Sequence, residues 1–305
     1  MNTRQKILPV IVFLLLILLP DLAAAKVKVV ATLGDLAAAA EEVGGDHIDV
    51  ELLARPQEDP HFVDAKPSYV REVSQADLLV LNGMSLEIGW LPILVQNSRN
   101  PDIQRGENGY FDASTFIERK EISKQKIDRS MGDVHPEGNP HYTFDPRQMA
   151  RVAIALGKRF GEIDPKHQAT YRKRARAFAK RCIETHKRWH KRFAELPAKQ
   201  RKVVVYHKAW IYARDWLELE RVATVEPKPG VEPNPHHVAK VFEAIEREGA
   251  PLILKMEYYP SATVDRIAAK TGTKVVTSQG QTRPGKSYID RVDALAGSLY
   301  KALSQ

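Results

Sequence analysis

Between Pro165 and Leu196 the chain is dense in Lys and Arg and carries neither Gly nor Pro in its interior. A stretch of about 30 residues without a breaker predicts one continuous helix. Such a helix spans ~45 Å at 1.5 Å per residue, long enough to bridge two separate bodies. Short β-branched runs alternate with helical segments on both sides of it. Before it come Lys26 to Leu33 (KVKVVATL), Ile48 to Leu53 and Ala76 to Leu81 (ADLLVL) as strands. Helices are expected over Leu36 to Val43, Ser68 to Gln75 and Pro146 to Phe160. After it come strands at Lys202 to Tyr206 (KVVVY), Pro251 to Met256 (PLILKM) and Lys274 to Thr277, with helices over Pro235 to Glu248, Ser261 to Thr271 and Tyr288 to Leu303. Strand and helix in alternation predict mostly parallel sheets covered by helices. The expected fold is therefore α/β, with two lobes joined by one long rigid helix, and the second half repeats the architecture of the first. A chain of 305 residues is the right size for two such lobes.

The first 25 residues read as an export signal. Arg4 and Lys6 precede an apolar run from Ile7 to Pro20, followed by Asp21-Leu22-Ala23-Ala24-Ala25. A basic start, a short apolar core and an A-x-A pattern predict cleavage after Ala25. The run falls short of the ~20 residues that a spanning helix needs. Residues 1–25 are thus assigned to a signal peptide, 26–164 to an N-terminal lobe, 165–196 to the linking helix and 197–305 to a C-terminal lobe. The mature protein is expected free in the periplasm, as a monomer, with no membrane insertion after cleavage. The chain's single cysteine, Cys182, excludes an intramolecular disulfide and a thiolate-built zinc site, and no cysteine follows the apolar run to carry a lipid. The net charge of +8 is largely accounted for by the long helix. Without a motif or interleaved aromatics it reads as a solvated face, and no nucleic-acid partner is expected.

Of the ten histidines, three occupy comparable places. His61 lies in Asp59-Pro60-His61 beyond the second strand, His141 in Asn139-Pro140-His141-Tyr142 before a helix, and His207 directly after KVVVY. Open α/β sheets bind ligands beyond the carboxyl ends of their strands, and two facing lobes would bring such loops together. Neutral imidazole is a common metal ligand, and the prolines stiffen the backbone before two of the three. Spacing alone is a weak signal, and by itself it reads as ordinary capping or surface histidines. Glu257, at the end of PLILKM, is placed to project into the same crevice or to pair with a basic neighbour. His135 and Glu137 precede His141 in a polar stretch from Glu118 to Gly138 that reads as a loop; His135 is a possible auxiliary metal ligand. His186 and His190 stand i, i+4 on the long helix without a His-Glu-x-x-His pattern. His236-His237 opens a helix, where capping is the plain reading, and Cys182 reads as a packing residue.

Several motifs occur together and in order. Asp59-Pro60-His61 is followed by Ala76-Asp77-Leu78, Asn82-Gly83 and Leu86-Glu87-x-x-Trp90-Leu91. Gly138-Asn139-Pro140-His141-Tyr142-x-x-Asp145-Pro146 and Tyr206-His207-x-x-Trp210-x-Tyr212 complete the set. Across essentially the whole mature chain this resembles the zinc/manganese-type substrate-binding proteins of bacterial ABC importers. The resemblance implies two α/β lobes on a helical backbone, one metal held between them and delivery to an ABC transporter permease. It places His61, His141 and His207 as ligands. It also implies an aspartate after the last strand of the second lobe, but this chain reads Val275-Val276-Thr277-Ser278-Gln279 there. Glu257, a water or a loop residue is left for the fourth position. The His-rich acidic insertion of some zinc members is absent.

Three imidazoles with at most one carboxylate favour Zn(II); Mn(II) prefers more oxygen ligands, and Mn(II) or Fe(II) is the secondary expectation. The function expected is a high-affinity periplasmic Zn(II) receptor and not an enzyme. A zinc-dependent hydrolase with Glu257 as general base is the rival reading, and a module binding some other partner through the basic helix is a third.

Overall fold

The computed structural model describes residues 25–123 and 135–305. The segment expected to be an export signal, up to residue 24, and most of the polar stretch before His135 fall outside the described residues. Chain order in the first half is β1 (Val27–Ala31), α1 (Gly34–Gly44), β2 (Ile48–Leu52), α2 (Pro67–Ser74), β3 (Leu78–Leu81), α3 (Leu91–Ser98), β4 (Tyr110–Asp112) and α4 (Pro146–Ile163). Then come α5 (Gln168–Ala194), β5 (Lys202–Val205), α6 (Ile211–Leu217), β6 (Glu220–Thr224), α7 (Pro235–Glu248), β7 (Leu252–Met256), α8 (Ala262–Thr271), β8 (Lys274–Ser278) and α9 (Tyr288–Leu303). The strands form two four-stranded sheets, ordered β2-β1-β3-β4 and β6-β5-β7-β8, and every neighbouring pair runs parallel. The two-lobed α/β expectation holds, and the lobes repeat one strand order.

The chemistry of each strand follows its place. Central β3 and β7 are buried along their whole length, which is why they read as apolar runs (LLVL, and LILKM with Lys255 as its one charged residue). Edge strands β4 (YFD) and β6 (ERVAT) are partly exposed and mixed in composition, and the apolar pattern did not predict them. Helices α3 and α6 were likewise not anticipated; both are short.

The long helix begins at Gln168, after one 3₁₀ turn over Pro165–His167, and ends at Ala194, which at 27 residues makes it roughly 40 Å long. Tyr171, Ala175, Phe178, Cys182, Thr185, Trp189 and Phe193 form its buried stripe. That spacing of three and four places them on one side of the helix, leaving most of its Lys and Arg residues exposed on the other. The stripe packs on α4 and α1 of the first lobe and on α9 and α6 of the second. His186 and His190 stack on one another, and His190 Nδ1 hydrogen-bonds the Trp216 carbonyl at 2.8 Å, a packing role. No helix among the described residues is long and apolar enough to cross a membrane.

Buried polar contacts lock the lobes together. Asp35 at the start of α1 accepts hydrogen bonds from the Thr282 backbone N–H (2.9 Å), the Thr282 hydroxyl (2.6 Å) and Arg291 Nη2 (2.7 Å). The Tyr288 hydroxyl donates to the Thr143 carbonyl, and Trp216 Nε1 to the Phe144 carbonyl. Gly34 permits this approach, since a Cβ there would sit 2.0 Å from the Thr282 carbonyl oxygen.

Candidate metal centre

Each of the three strand-end histidines is presented by a segment built for rigidity. His61 leaves the long connection after β2, where Trp90 Nε1 donates to the Pro60 carbonyl at 2.9 Å. Asp59 Oδ1 accepts from both the His61 backbone N–H (3.1 Å) and His61 Nδ1 (2.6 Å). A carboxylate only accepts, so Nδ1 carries a proton. His141 sits in a loop hung on the end of β3. Asn82 Nδ2 donates to the Pro140 carbonyl (3.0 Å), Tyr142 donates back to the Asn82 carbonyl (2.9 Å), and Asn139 Oδ1 accepts from the His141 N–H (3.1 Å). Beneath this loop lies Glu87, whose oxygens take the Thr32 hydroxyl (2.7 Å) and the backbone N–H groups of Asn82 (2.6 Å) and Gly83 (3.2 Å). His207 follows β5, and its Nδ1 meets Glu226 Oε2 at 2.7 Å. Glu226 stands just past β6 and is tied to the same strand end by its N–H on the Tyr206 carbonyl.

The three imidazoles converge. One ligand nitrogen from each lies within 4.8 Å of the others, and all three residues are buried. Ring centroids are 5.3 Å apart for His61–His141, 5.7 Å for His61–His207 and 5.4 Å for His141–His207, at steep mutual angles. Burial, followed by the neighbouring His61, His207 and His135 rings, holds His141 well below the ordinary histidine pKa. It is therefore neutral at physiological pH, and its buried Nε2 has no hydrogen-bond partner among the described residues. Burial would raise the Asp59 carboxyl, but the hydrogen bonds and charge of His61 outweigh it and hold the group below its usual range. Nδ1–H groups held by carboxylates, on His61 and His207, fix the ring orientations that a borderline divalent metal requires of imidazole ligands.

Glu257 stands outside this set. Its Oε2 accepts from Arg283 Nη2 at 2.9 Å, the basic-partner alternative open for it in the sequence. Ser278 is buried and donates to the Gln279 carbonyl. His135 lies beside the set, 5.3 Å from His61 between ring centroids, with Nδ1 on the Met84 carbonyl at 3.0 Å. Glu137 is exposed. His236 and His237 open α7 as expected, but its cap is Asn234, whose side chain accepts from the His237 N–H. The orienting carboxylates were not picked out from the sequence. Asp59 could have been, since a carboxylate two residues before a histidine can close back on it. Glu226 carried no such signal, because its strand was not recognised.

Fold and site together define a two-lobed metal-binding protein. The chain belongs to the family described as ZnuA, zinc-uptake complex component A, periplasmic, which matches residues 29–302. It is 25% identical over 267 residues to the metal ABC transporter substrate-binding lipoprotein SsaB of Streptococcus sanguinis, covering 84% of this chain and 83% of that protein. To the manganese ABC transporter substrate-binding lipoprotein PsaA of Streptococcus pneumoniae it is 24% identical, covering 86% and 84%. The crystal structure of ZnuA superposes with a TM-score of 0.75 at 20% identity, over 91% of this chain and 99% of the other.

Proposed function

We propose that this chain is an exported receptor that captures Zn(II) between its lobes through His61, His141 and His207 and hands it to an ABC permease. One observation carries the reading: three buried imidazoles converge within 4.8 Å from two lobes. Two of them have Nδ1 held by a carboxylate, Asp59 or Glu226. Lobes over 26–164 and 197–305, bridged by 165–196, place the metal at the seam, and capture there links one lobe to the other. We take the leader to be removed after Ala25 and the protein to act as a periplasmic monomer. The relatives are called lipoproteins, whereas the one cysteine here, Cys182, is buried in α5.

The choice of zinc rests on the donor set. Imidazole suits a borderline ion, and manganese favours oxygen. Some relatives are named for manganese, so the metal itself is the point to measure. Metal content by mass spectrometry on protein purified from the periplasm is expected to give about one zinc per chain, the occupancy of a single site. The triple variant His61→Ala/His141→Ala/His207→Ala is expected to carry none. For His207→Ala alone, losing one ligand of a site worth ~10–16 kcal/mol costs about 3 kcal/mol or more, a weakening of ~100-fold or beyond. Manganese in place of zinc would overturn the metal, and undiminished affinity in the His207→Ala protein would overturn the ligand set.

A further inference from the structure

An amide side chain bridges the two lobes beside the metal centre. We propose that Asn139 is a positioning residue of the site: it fixes the His141 loop of one lobe against the His207 loop of the other, and so sets the spacing of the ligands before a metal arrives. This rests on the receptor reading above. Asn139 is buried and stands two positions before His141. Its Oδ1 accepts from the His141 backbone N–H at 3.1 Å. Its Nδ2 donates to the Lys208 carbonyl at 2.8 Å, and Lys208 directly follows His207. Nδ2 also donates to Glu121 Oε2 at 2.9 Å. A backbone donor on one side and two oxygen acceptors on the other admit a single orientation of the amide. The site calls for one acceptor and two donors on a short side chain, which is what asparagine supplies.

The surroundings of Asn139 come from both lobes. Its backbone N–H donates to the Lys120 carbonyl at 2.7 Å. The Lys120 N–H donates to the Tyr212 hydroxyl at 3.1 Å, and Lys120 Nζ pairs with Asp215; both partners stand on α6. Glu121, which receives the amide, has a φ of 55°. That region is costly for a residue with a side chain and persists where neighbouring contacts over-determine it. Gly138 has a φ of 124°, and a Cβ there would stand 3.0 Å from the Lys120 carbonyl oxygen. On its other side the loop is held by Asn82, through the Pro140 carbonyl. The His141 loop is thus referred to β3 by Asn82 and to the second lobe by Asn139. The Thr282–Asp35 bond also joins the lobes, but it touches no histidine loop. Ligands held at a fixed separation lose less freedom when the metal binds, which raises affinity without adding a ligand.

The test uses the mature chain, with zinc for affinity and release rate and with Co(II) for visible spectroscopy. Asn139→Asp keeps the acceptor for the His141 N–H, but a carboxylate cannot donate to the Lys208 carbonyl. Its zinc affinity is expected to fall ~10–100-fold, the range for groups that orient ligands, through faster release and with a shifted cobalt band. Asn139→Ala is expected to lose at least as much. In Asn139→Asp/Glu121→Gln the glutamine offers the new carboxylate a donor, yet the loss is expected to persist because the Lys208 bond is still missing. Recovery of wild-type affinity there would trace the defect to repulsion from Glu121 and overturn the inference. Thr282→Val, which removes the hydroxyl bond to Asp35, shows what a merely structural loss does. It is expected to lower metal-free melting while zinc release and the cobalt band stay as in the wild type. Asn139 variants that behave like Thr282→Val, with release and band unchanged, would overturn the proposal and leave the three-histidine receptor standing. A wild type that binds neither metal would overturn both.

Discussion

The two lobes share a strand order but contribute to the metal centre differently. The first lobe brings His61 and His141 on extended loops, each stiffened by a preceding proline and pinned from several sides. The second brings His207 directly from the end of β5. In the first lobe a buried carboxylate, Glu87, works through backbone: it holds Asn82 and Gly83, and Asn82 holds the loop bearing His141. In the second the carboxylate of Glu226 acts on the ligand itself. A loop needs its path fixed, whereas a strand end already has one, so the sheet spares the second lobe most of that scaffolding.

This asymmetry can be broken at three points. The largest effect is expected where the lobes meet. Asp35→Ala leaves Arg291 buried without its carboxylate, and breaking a buried pair in this way costs about 3–5 kcal/mol. Urea unfolding of the metal-free protein would read it; a change below 1 kcal/mol would mean that the lobes are held by other contacts.

The next concerns Glu87, whose burial raises its pKa to about 7, against the hydrogen bonds from Thr32, Asn82 and Gly83. The folded state then binds its proton more tightly than the unfolded chain. The associated stability is full below pH ~4.5 and is lost as pH rises through about 7. A shift of this size amounts to roughly 3 kcal/mol. His141 and His186, which burial depresses (His186 to about 4), act in the opposite sense below their ordinary pKa. The comparison is therefore between wild type and Glu87→Gln in metal-free unfolding at pH 5 and pH 7.5. The wild type should lose stability relative to the variant on going to the higher pH, and parallel profiles would remove Glu87 from its role as a titrating anchor.

The smallest effect should come from Glu226→Gln, which keeps a hydrogen-bond acceptor on His207 Nδ1 but loses the charge. Zinc affinity is expected to fall ~10–100-fold with little change in metal-free melting. If Asp59→Gln lowered affinity as much, the two lobes would rely equally on their orienting carboxylates.

Much of the architecture was legible in the chain because buried elements write their surroundings into composition. LLVL and LILKM lie at the centres of sheets, and α7 and α9 fall on their expected boundaries. The edge strands YFD and ERVAT were not legible, since the first has only three residues and the second opens with Glu-Arg, so neither shows an apolar run. Within the site, histidines beside prolines at strand ends stood out. Glu226 did not, because it lies 19 positions from His207 and meets it only through the pairing of β5 with β6.

By itself the sequence determined the two α/β halves, the long basic helix between them and the three histidines at comparable places, since these follow from local periodicity and short motifs. Only the tertiary structure decided that three nitrogens from two lobes converge within 4.8 Å, that Glu257 turns to Arg283, and that His135 lies against His61. Those outcomes depend on contacts between residues far apart in the chain. The Asp35–Thr282–Arg291 lock, which ties α1 to the chain's last helix, is the clearest case. Hydrophobic pattern fixes what an element is; which element it faces is set by the packing of whole lobes.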